Sequence, residues 1–255
     1  MILDQFRLDG SIALVTGTSR GLGQAAAVAL AEAGADIVAW DRDDVAETEQ
    51  FVTALGRRFW LIQGDLRTAT VEDFNQQVAQ IETGMGRINI LVNNAGIIRR
   101  ANLLDFNEED WDDVLQINLK ALFFLSQAVA RRMTLHESGG KIINIASMLS
   151  FQGGIRVPSY TAAKSGVAGL TRALANELAS LNINVNAIAP GYMATDNTAP
   201  LRSDKVRSET ILKRIPAGRW GTPDDLKGAV VFLASEAARY MHGAIIPIDG
   251  GWLAS

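Results

Sequence analysis

The sequence predicts a single doubly wound α/β domain, a seven-stranded parallel sheet with helices on both faces. Three observations carry that expectation. Apolar strand-like runs alternate with helical patterns along all 255 residues. Each pair of runs is separated by a segment long enough for a helical crossover, which places successive helices on the two sides of a parallel sheet. No Pro/Gly/Ser-rich linker and no repeat interrupts the chain, so residues 1–255 read as one domain.

The elements follow in order. The run IALVT at 12–16 reads as the first strand and leads to a helix over about 21–33. DIVAW at 36–40 precedes a charged amphipathic segment to Leu55, and FWLI at 59–62 precedes a helix over 71–83. INILV at 88–92 leads to a long helix over about 108–132, and KIINI at 141–145 leads to the helix carrying Tyr160. INVNAI at 183–188 runs into an irregular stretch, 192–216, with mixed charge and Pro200 inside it. That stretch reads as a partly helical substrate lid, since long irregular segments in compact domains are often lids. A helix near 224–234 leads to the last strand, AIIPI at 244–248. Pro247 cannot donate to a ladder, so this strand is expected at the sheet edge or at a bulge.

Composition narrows the function classes. Apolar residues make up 48% and charged residues 20%, enough for a large core and against disorder. A net charge of −4 gives no reason to expect nucleic acid or an anionic membrane as partner. Cysteine is absent, which excludes disulfides, thiolate catalysis and Cys-ligated metals. The two histidines, His136 and His242, read as loop residues, and no metal site is expected. No run of 18 apolar residues indicates a membrane span. The first ten residues lack the basic head and apolar run of a signal peptide, so a soluble cytoplasmic protein is expected.

Two groups of residues carry chemistry. Gly17-Thr18-Ser19-Arg20-Gly21-Leu22-Gly23 joins the first strand to the first helix. Glycines there allow a tight turn and a close backbone approach to a pyrophosphate at a helix N-terminus. The spacing is G-x-x-x-G-x-G rather than the usual dinucleotide fingerprint. Asp41 ends the second strand, eighteen residues after Gly23. A carboxylate there suits the ribose 2′-hydroxyl of NAD and repels the 2′-phosphate of NADP. Arg20 and Arg42 pull the other way, because either is able to pair with a 2′-phosphate; NAD is the expectation. Farther on, Tyr160 and Lys164 lie one helical turn apart, with Ser147 thirteen residues before the tyrosine. A free tyrosine is a poor acid or base at neutral pH, and a neighbouring cation together with a helix start favours its phenolate. An ordinary pair of surface helix residues is the alternative reading of Tyr160 and Lys164 taken alone.

Taken together, the glycine loop, Asn93-Asn94-Ala95-Gly96, Asn118, Ser147, Tyr160 and Lys164 resemble the short-chain dehydrogenase/reductase family, over essentially the whole chain. The resemblance implies a Rossmann-type domain in which Tyr160 exchanges a proton with the substrate oxygen and Ser147 hydrogen-bonds that oxygen. It implies that Lys164 holds the nicotinamide ribose and lowers the tyrosine pKa, and that Asn118 anchors a water in a proton relay. It carries cofactor contacts to Asp65 and Leu66, to Asn93, Ala95 and Gly96, and to Pro190, Gly191, Met193 and Thr195. Asn93 and Asn94 are equally consistent with bracing the sheet, and Asp65 with a place near a helix N-cap. Longer strings, KIINIASMLSFQGGIRVPSY at 141–160, IIRR at 97–100 and IPAGRWG at 215–221, are similar to sugar-acid dehydrogenases of this family. That similarity implies bacterial uronic-acid breakdown, as of pectin. The implied reaction interconverts 2,5-diketo-3-deoxygluconate and 2-keto-3-deoxygluconate, or oxidises 2-deoxygluconate. Arg99, Arg100 and Arg156 are candidates to hold the substrate carboxylate, with Gln152 beside them. A gluconate 5-dehydrogenase, a 3-oxoacyl reductase and a non-catalytic dinucleotide sensor are the rival readings. A homotetramer is implied by the family, and the apolar helices at 108–132 and after Pro158 suit contacts between subunits.

Overall fold

The computed structural model describes residues 1–135 and 138–255; His136 lies outside the described residues. Seven strands form one parallel sheet in the order β3-β2-β1-β4-β5-β6-β7. They are β1 (Ile12–Thr16), β2 (Asp36–Asp41), β3 (Phe59–Gln63), β4 (Ile90–Asn93), β5 (Gly140–Ile145), β6 (Ile183–Pro190) and β7 (Ile245–Ile248). The order reverses between β1 and β4, and ligands of open α/β sheets bind beside such a switch, outside the carboxyl ends of the strands.

Every residue of β1 is buried, and successive residues point to opposite faces. Ala13 and Val15 face one core with α1 (Gly21–Glu32) and α9 (Lys227–Ala234). Ile12 and Leu14 face the other core with α3 (Val71–Gly84), α5 (Leu122–Met133) and part of α6 (Pro158–Leu178). Two covered faces explain why the strands read as continuous apolar runs. The small helix α2 (Ala46–Ala54) packs beside α1. No helix among the described residues is long and apolar enough to cross a membrane.

Pro247 pairs only through β6, because β7 is the outermost strand, so its missing N–H costs no ladder bond. Two expectations need correction. The strand read at 88–92 begins two residues later, at Ile90. Asn89 there turns its side chain onto the backbone, its Oδ1 accepting from Ile12 N–H at 2.9 Å. The long helix read at 108–132 is not regular. It comprises α4 (Glu108–Leu115), a π-helical turn (Gln116–Ala121) and α5. The segment 192–216 is helical in part, with α7 (Ala199–Ser203) and α8 (Lys205–Arg214).

Candidate active site

The glycine loop takes its shape from three glycines. Gly17 and Gly21 have φ of +71° and +62°, conformations open to glycine at little cost. Gly23 has an ordinary conformation, but a Cβ on it would overlap the Gly17 carbonyl oxygen and the Asn94 side chain. Asn94 locks the loop from behind, its Nδ2 donating to the carbonyls of Thr16 and Gly17 at 2.9 Å each. Thr16 Oγ1 accepts from the N–H groups of Asn94 and Ala95 at 3.0 Å. The result is a bare backbone cradle at the N-terminus of α1, the geometry a pyrophosphate requires.

A cleft of about 580 Å³ opens from that cradle across the carboxyl ends of the sheet. Gly17, Ser19, Arg20, Gly21, Leu22 and Gly23 line one end, with Asp41, Arg42, Asp65 and Leu66 beside them. Ala95, Gly96, Thr195, Tyr160 and Lys164 line the other end. A larger groove, about 670 Å³, runs along α4 and α5, but none of the glycine-loop, serine or tyrosine residues borders it.

Asp41 is buried and fixed at the end of β2. Its carboxylate accepts from Ser19 N–H at 2.7 Å and Asp43 N–H at 3.0 Å. It is thereby presented as an acceptor at the β2 end of the cleft. Asp65 accepts from Arg67 N–H at 2.9 Å and stands 3.9 Å from Arg42, so it shapes a turn and also faces the cleft. Thr70, not Asp65, is the N-cap of α3.

At the far end, Ser147 precedes the short helix Met148–Ser150, and Tyr160 sits in the first turn of α6, opened by Pro158 at its N-terminus. Lys164 is 3% exposed, and its Nζ donates to the Ile145 carbonyl at 2.6 Å while standing 5.6 Å from the Tyr160 ring centroid. Burial lowers its pKa to about 8. Burial also pushes the Tyr160 phenol upward, and the hydrogen bond with Ser147 and the Arg100 guanidinium pull it back down. The ring keeps partial access to the cleft, so solvent softens that upward push. The groups that lower Tyr160 here are therefore Ser147 and Arg100, whereas the resemblance assigned that effect to Lys164.

Asn118 lies in the π-helical turn and is 1% exposed. Its Oδ1 accepts from Ile97 N–H and its Nδ2 donates to the Ile97 carbonyl, both at 2.9 Å. It thus clamps the loop that carries Gly96 to Arg100.

The three arginine candidates separate. Arg99 is held by Asp110 at 2.9 Å and Asp113 at 3.6 Å on α4, so its charge is already paired. Arg100 has no carboxylate partner among the described residues; its Nη2 donates to the Asn197 carbonyl at 2.9 Å. Burial lowers its pKa, Tyr160 and Tyr192 raise it, and the Arg156 charge lowers it, so each of these three lies within electrostatic reach of Arg100. Arg156 also lacks an ion pair among the described residues. It adopts φ +66°, a left-handed conformation unusual for a non-glycine residue, and its carbonyl accepts from Ala101 N–H at 3.2 Å. That bond ties the loop after Ser147 to the loop after β4. Gln152 lies on the same loop, half-buried and without a hydrogen bond among the described residues.

Four cofactor assignments do not lie on the cleft. Asn93 is 5% exposed, and its Nδ2 donates to Ser126 at 2.8 Å and Asn144 at 2.9 Å, so its side chain braces the sheet. Pro190 ends β6, and Gly191 packs so closely on Asp249 that a Cβ would clash there. Met193 is buried in the core beside Gly221. Sequence reasoning missed Asn94, Ile145, Asp196 and Asn197, all on the cleft wall. The Asn-Asn pair was visible, but which of the two faces the loop depends on strand phase, and β4 starts later than its apolar run. His242, read as a solvated loop residue, stands 3.2 Å from Asn184 and far along the chain from these elements.

A family model described as enoyl-(acyl carrier protein) reductase matches residues 17–253. The 2-dehydro-3-deoxy-D-gluconate 5-dehydrogenase of Escherichia coli is 58% identical over 254 residues, covering all of both chains. A solved structure from Agrobacterium tumefaciens, described as a candidate 2-deoxy-D-gluconate 3-dehydrogenase with bound NADP, is 54% identical with a TM-score of 0.90. That likeness covers 99% of this chain and 100% of the other. A gluconate 5-dehydrogenase from Burkholderia cenocepacia, in complex with NADP and tartrate, is 39% identical over the whole of both chains with a TM-score of 0.95. The glycine cradle, the carboxylate at the end of β2 and the buried tyrosine-lysine pair fit a nicotinamide dinucleotide. The chain belongs to the short-chain dehydrogenase/reductase family, a family of oxidoreductases that use such dinucleotides.

Proposed function

We propose that this protein interconverts a secondary alcohol and a ketone of a deoxy-keto sugar acid, with NAD as cofactor. The favoured pair is 2-keto-3-deoxygluconate and 2,5-diketo-3-deoxygluconate. The observation that carries the reading is Arg100 beside Tyr160: among the described residues it has no carboxylate partner, and it feels the Arg156 charge as well. Two guanidiniums within electrostatic reach repel each other, and a substrate anion relieves the repulsion. An acid/base group and a carboxylate receptor then face the same molecule. The names and high identity of the relatives support the same substrate class.

The cofactor, when bound, supplies or accepts the hydride. This chain's residues handle the rest. In reduction the Tyr160 hydroxyl gives its proton to the carbonyl oxygen, which becomes the alcohol; in oxidation the phenolate takes it back. Ser147 donates to the same oxygen and stabilises the charge that develops there. Lys164, whose Nζ is fixed on the Ile145 carbonyl beside the Tyr160 ring, would hold the nicotinamide ribose. Asn118 fixes the floor of the site through Ile97. Asp41 receives the adenosine ribose, and its charge favours NAD over NADP. Residues 192–216 close over the substrate, and the enzyme works as a tetramer.

Steady-state assays test the substrate and the cofactor together. Turnover of 2,5-diketo-3-deoxygluconate with NADH, well above any turnover of neutral ketones, is the expected result. Turnover of neutral ketones alone defeats the sugar-acid reading. Tight NADH binding with no turnover of any ketone or alcohol, sugar acids included, would favour a dinucleotide sensor instead.

A further inference from the structure

We propose that Asp196, a residue of the lid, sets cofactor choice by holding Arg20 away from the place a 2′-phosphate would occupy. The proposal deepens the NAD reading above and rests on it only for the direction of preference.

Arg20 is the N-cap residue of α1, its backbone is extended, and it lines the cleft. Its Nε lies 2.8 Å from Asp196 Oδ2, and its Nη2 lies 3.8 Å from Asp43 Oδ2. Asp43 follows Asp41 by two residues, so the guanidinium spans from the β2 end of the cleft to the first turn of the lid, Asp196–Thr198. Arg42, the other basic residue here, stands 3.6 Å from Asp43 and 3.9 Å from Asp65. Three carboxylates, those of Asp43, Asp65 and Asp196, thus meet two guanidiniums.

A 2′-phosphate brings a charge of about −1.5 to −2 and wants a guanidinium fork aimed at it. The shortest contact of Arg20 is the one to Asp196, which draws the guanidinium toward the lid, and the contact to Asp43 is longer by about 1 Å. Asp196 comes from a different part of the chain than the β2 carboxylates, so cofactor choice is written partly in the lid. Loss of the Asp196 charge lets Arg20 turn to the phosphate.

The side chains of Arg20 and Asp196 are 62% and 75% exposed, so the effect is modest. An exposed ion pair accounts for about a two- to five-fold change in an equilibrium. Exposure also means that substitutions there leave the fold intact.

The test is a nicotinamide fluorescence titration of the full chain with NADH and with NADPH. It covers the wild type, Asp196→Asn, Asp196→Glu, Arg20→Gln and the Arg20→Gln/Asp196→Asn double variant. Asp196→Asn is expected to tighten NADPH about two- to five-fold relative to NADH. Asp196→Glu is expected to keep the wild-type ratio, and Asp196→Asn is expected to leave the ratio unmoved once Arg20 is gone. An unchanged ratio in the single variant overturns the proposal. So does an equal shift in the Arg20→Gln background, which would show that Asp196 acts by bulk charge and not through Arg20. A wild type that binds NADPH more tightly than NADH overturns the NAD reading alone, since the proposal is judged by the Asp196-dependent change.

Discussion

Tyr160 and Lys164 are both burdened by burial, in opposite directions. The phenol is pushed up and the ammonium is pulled down to about 8. Arg100 offsets part of the push on Tyr160. In the Arg100→Gln variant, the pH at which oxidation gains its base is therefore expected to move up, seen as a rightward shift of the rising limb of kcat/KM. The same variant is expected to raise KM for sugar acids, and a profile that stays in place would separate Arg100 from the tyrosine. Lys164 has a stability consequence with a definite sign. Its folded pKa lies below the ordinary lysine value, so the unfolded chain binds more protons between about pH 8 and pH 10.5. The charged form costs stability below pH 8, on the order of 3 kcal/mol, and the cost fades as pH rises through that window. Lys164→Met removes that charge. It is expected to melt above the wild type at pH 7, by a margin that shrinks toward pH 10, while losing turnover. Thermal melts of both proteins across that range measure the margin.

At the scale of elements, the π-helical turn is the feature that periodicity did not reveal. One extra residue within a helical pattern leaves the apolar spacing almost unchanged, yet it rotates Asn118 to face Ile97. Asn118→Ala leaves the part-buried N–H and carbonyl of Ile97 without their side-chain partner. It is expected to cost about 2–4 kcal/mol, read as a lower denaturation midpoint, with weakened cofactor binding. Gly23 makes the opposite point. Its place was plain in the glycine spacing, and the structure adds the cause, the crowding against Gly17 and Asn94. Gly23→Ala is expected to weaken NADH binding more than ten-fold, measured by titration, by forcing the cradle apart. The strands were legible because both faces of each are buried, which writes an apolar run into the sequence. Tyr160 and Lys164 were legible because four residues put them on one face of α6, and Ser147 because it lies only thirteen residues before the tyrosine. Arg99 was not distinguishable from Arg100 by sequence. Adjacent residues on a loop point apart, and only the structure hands one to Asp110 and leaves the other to the Asn197 carbonyl. The partnership of Arg20 with Asp196 was hidden too, since 176 residues separate them.

On the scale of the molecule, the sheet order places the glycine cradle and the tyrosine at the same edge of the sheet, on either side of the switch between β1 and β4. The segment after β6 touches both, with Asp196 against Arg20 and the Asn197 carbonyl against Arg100. The groove along α4 and α5 presents Leu115, Leu119, Phe123 and Phe124 and fits the proposed assembly of subunits. Light scattering is expected to give a mass of four 27.5 kDa chains. A monomer at micromolar concentration would remove the tetramer from the account.

One measurement bears most directly on the whole reading: turnover of 2,5-diketo-3-deoxygluconate by Tyr160→Phe, beside its affinity for NADH. The expected result is unchanged NADH binding with kcat lower by about 10²–10⁴, the usual worth of a positioned acid/base group. A variant that binds NADH and turns over at the wild-type rate would contradict a tyrosine that moves the proton.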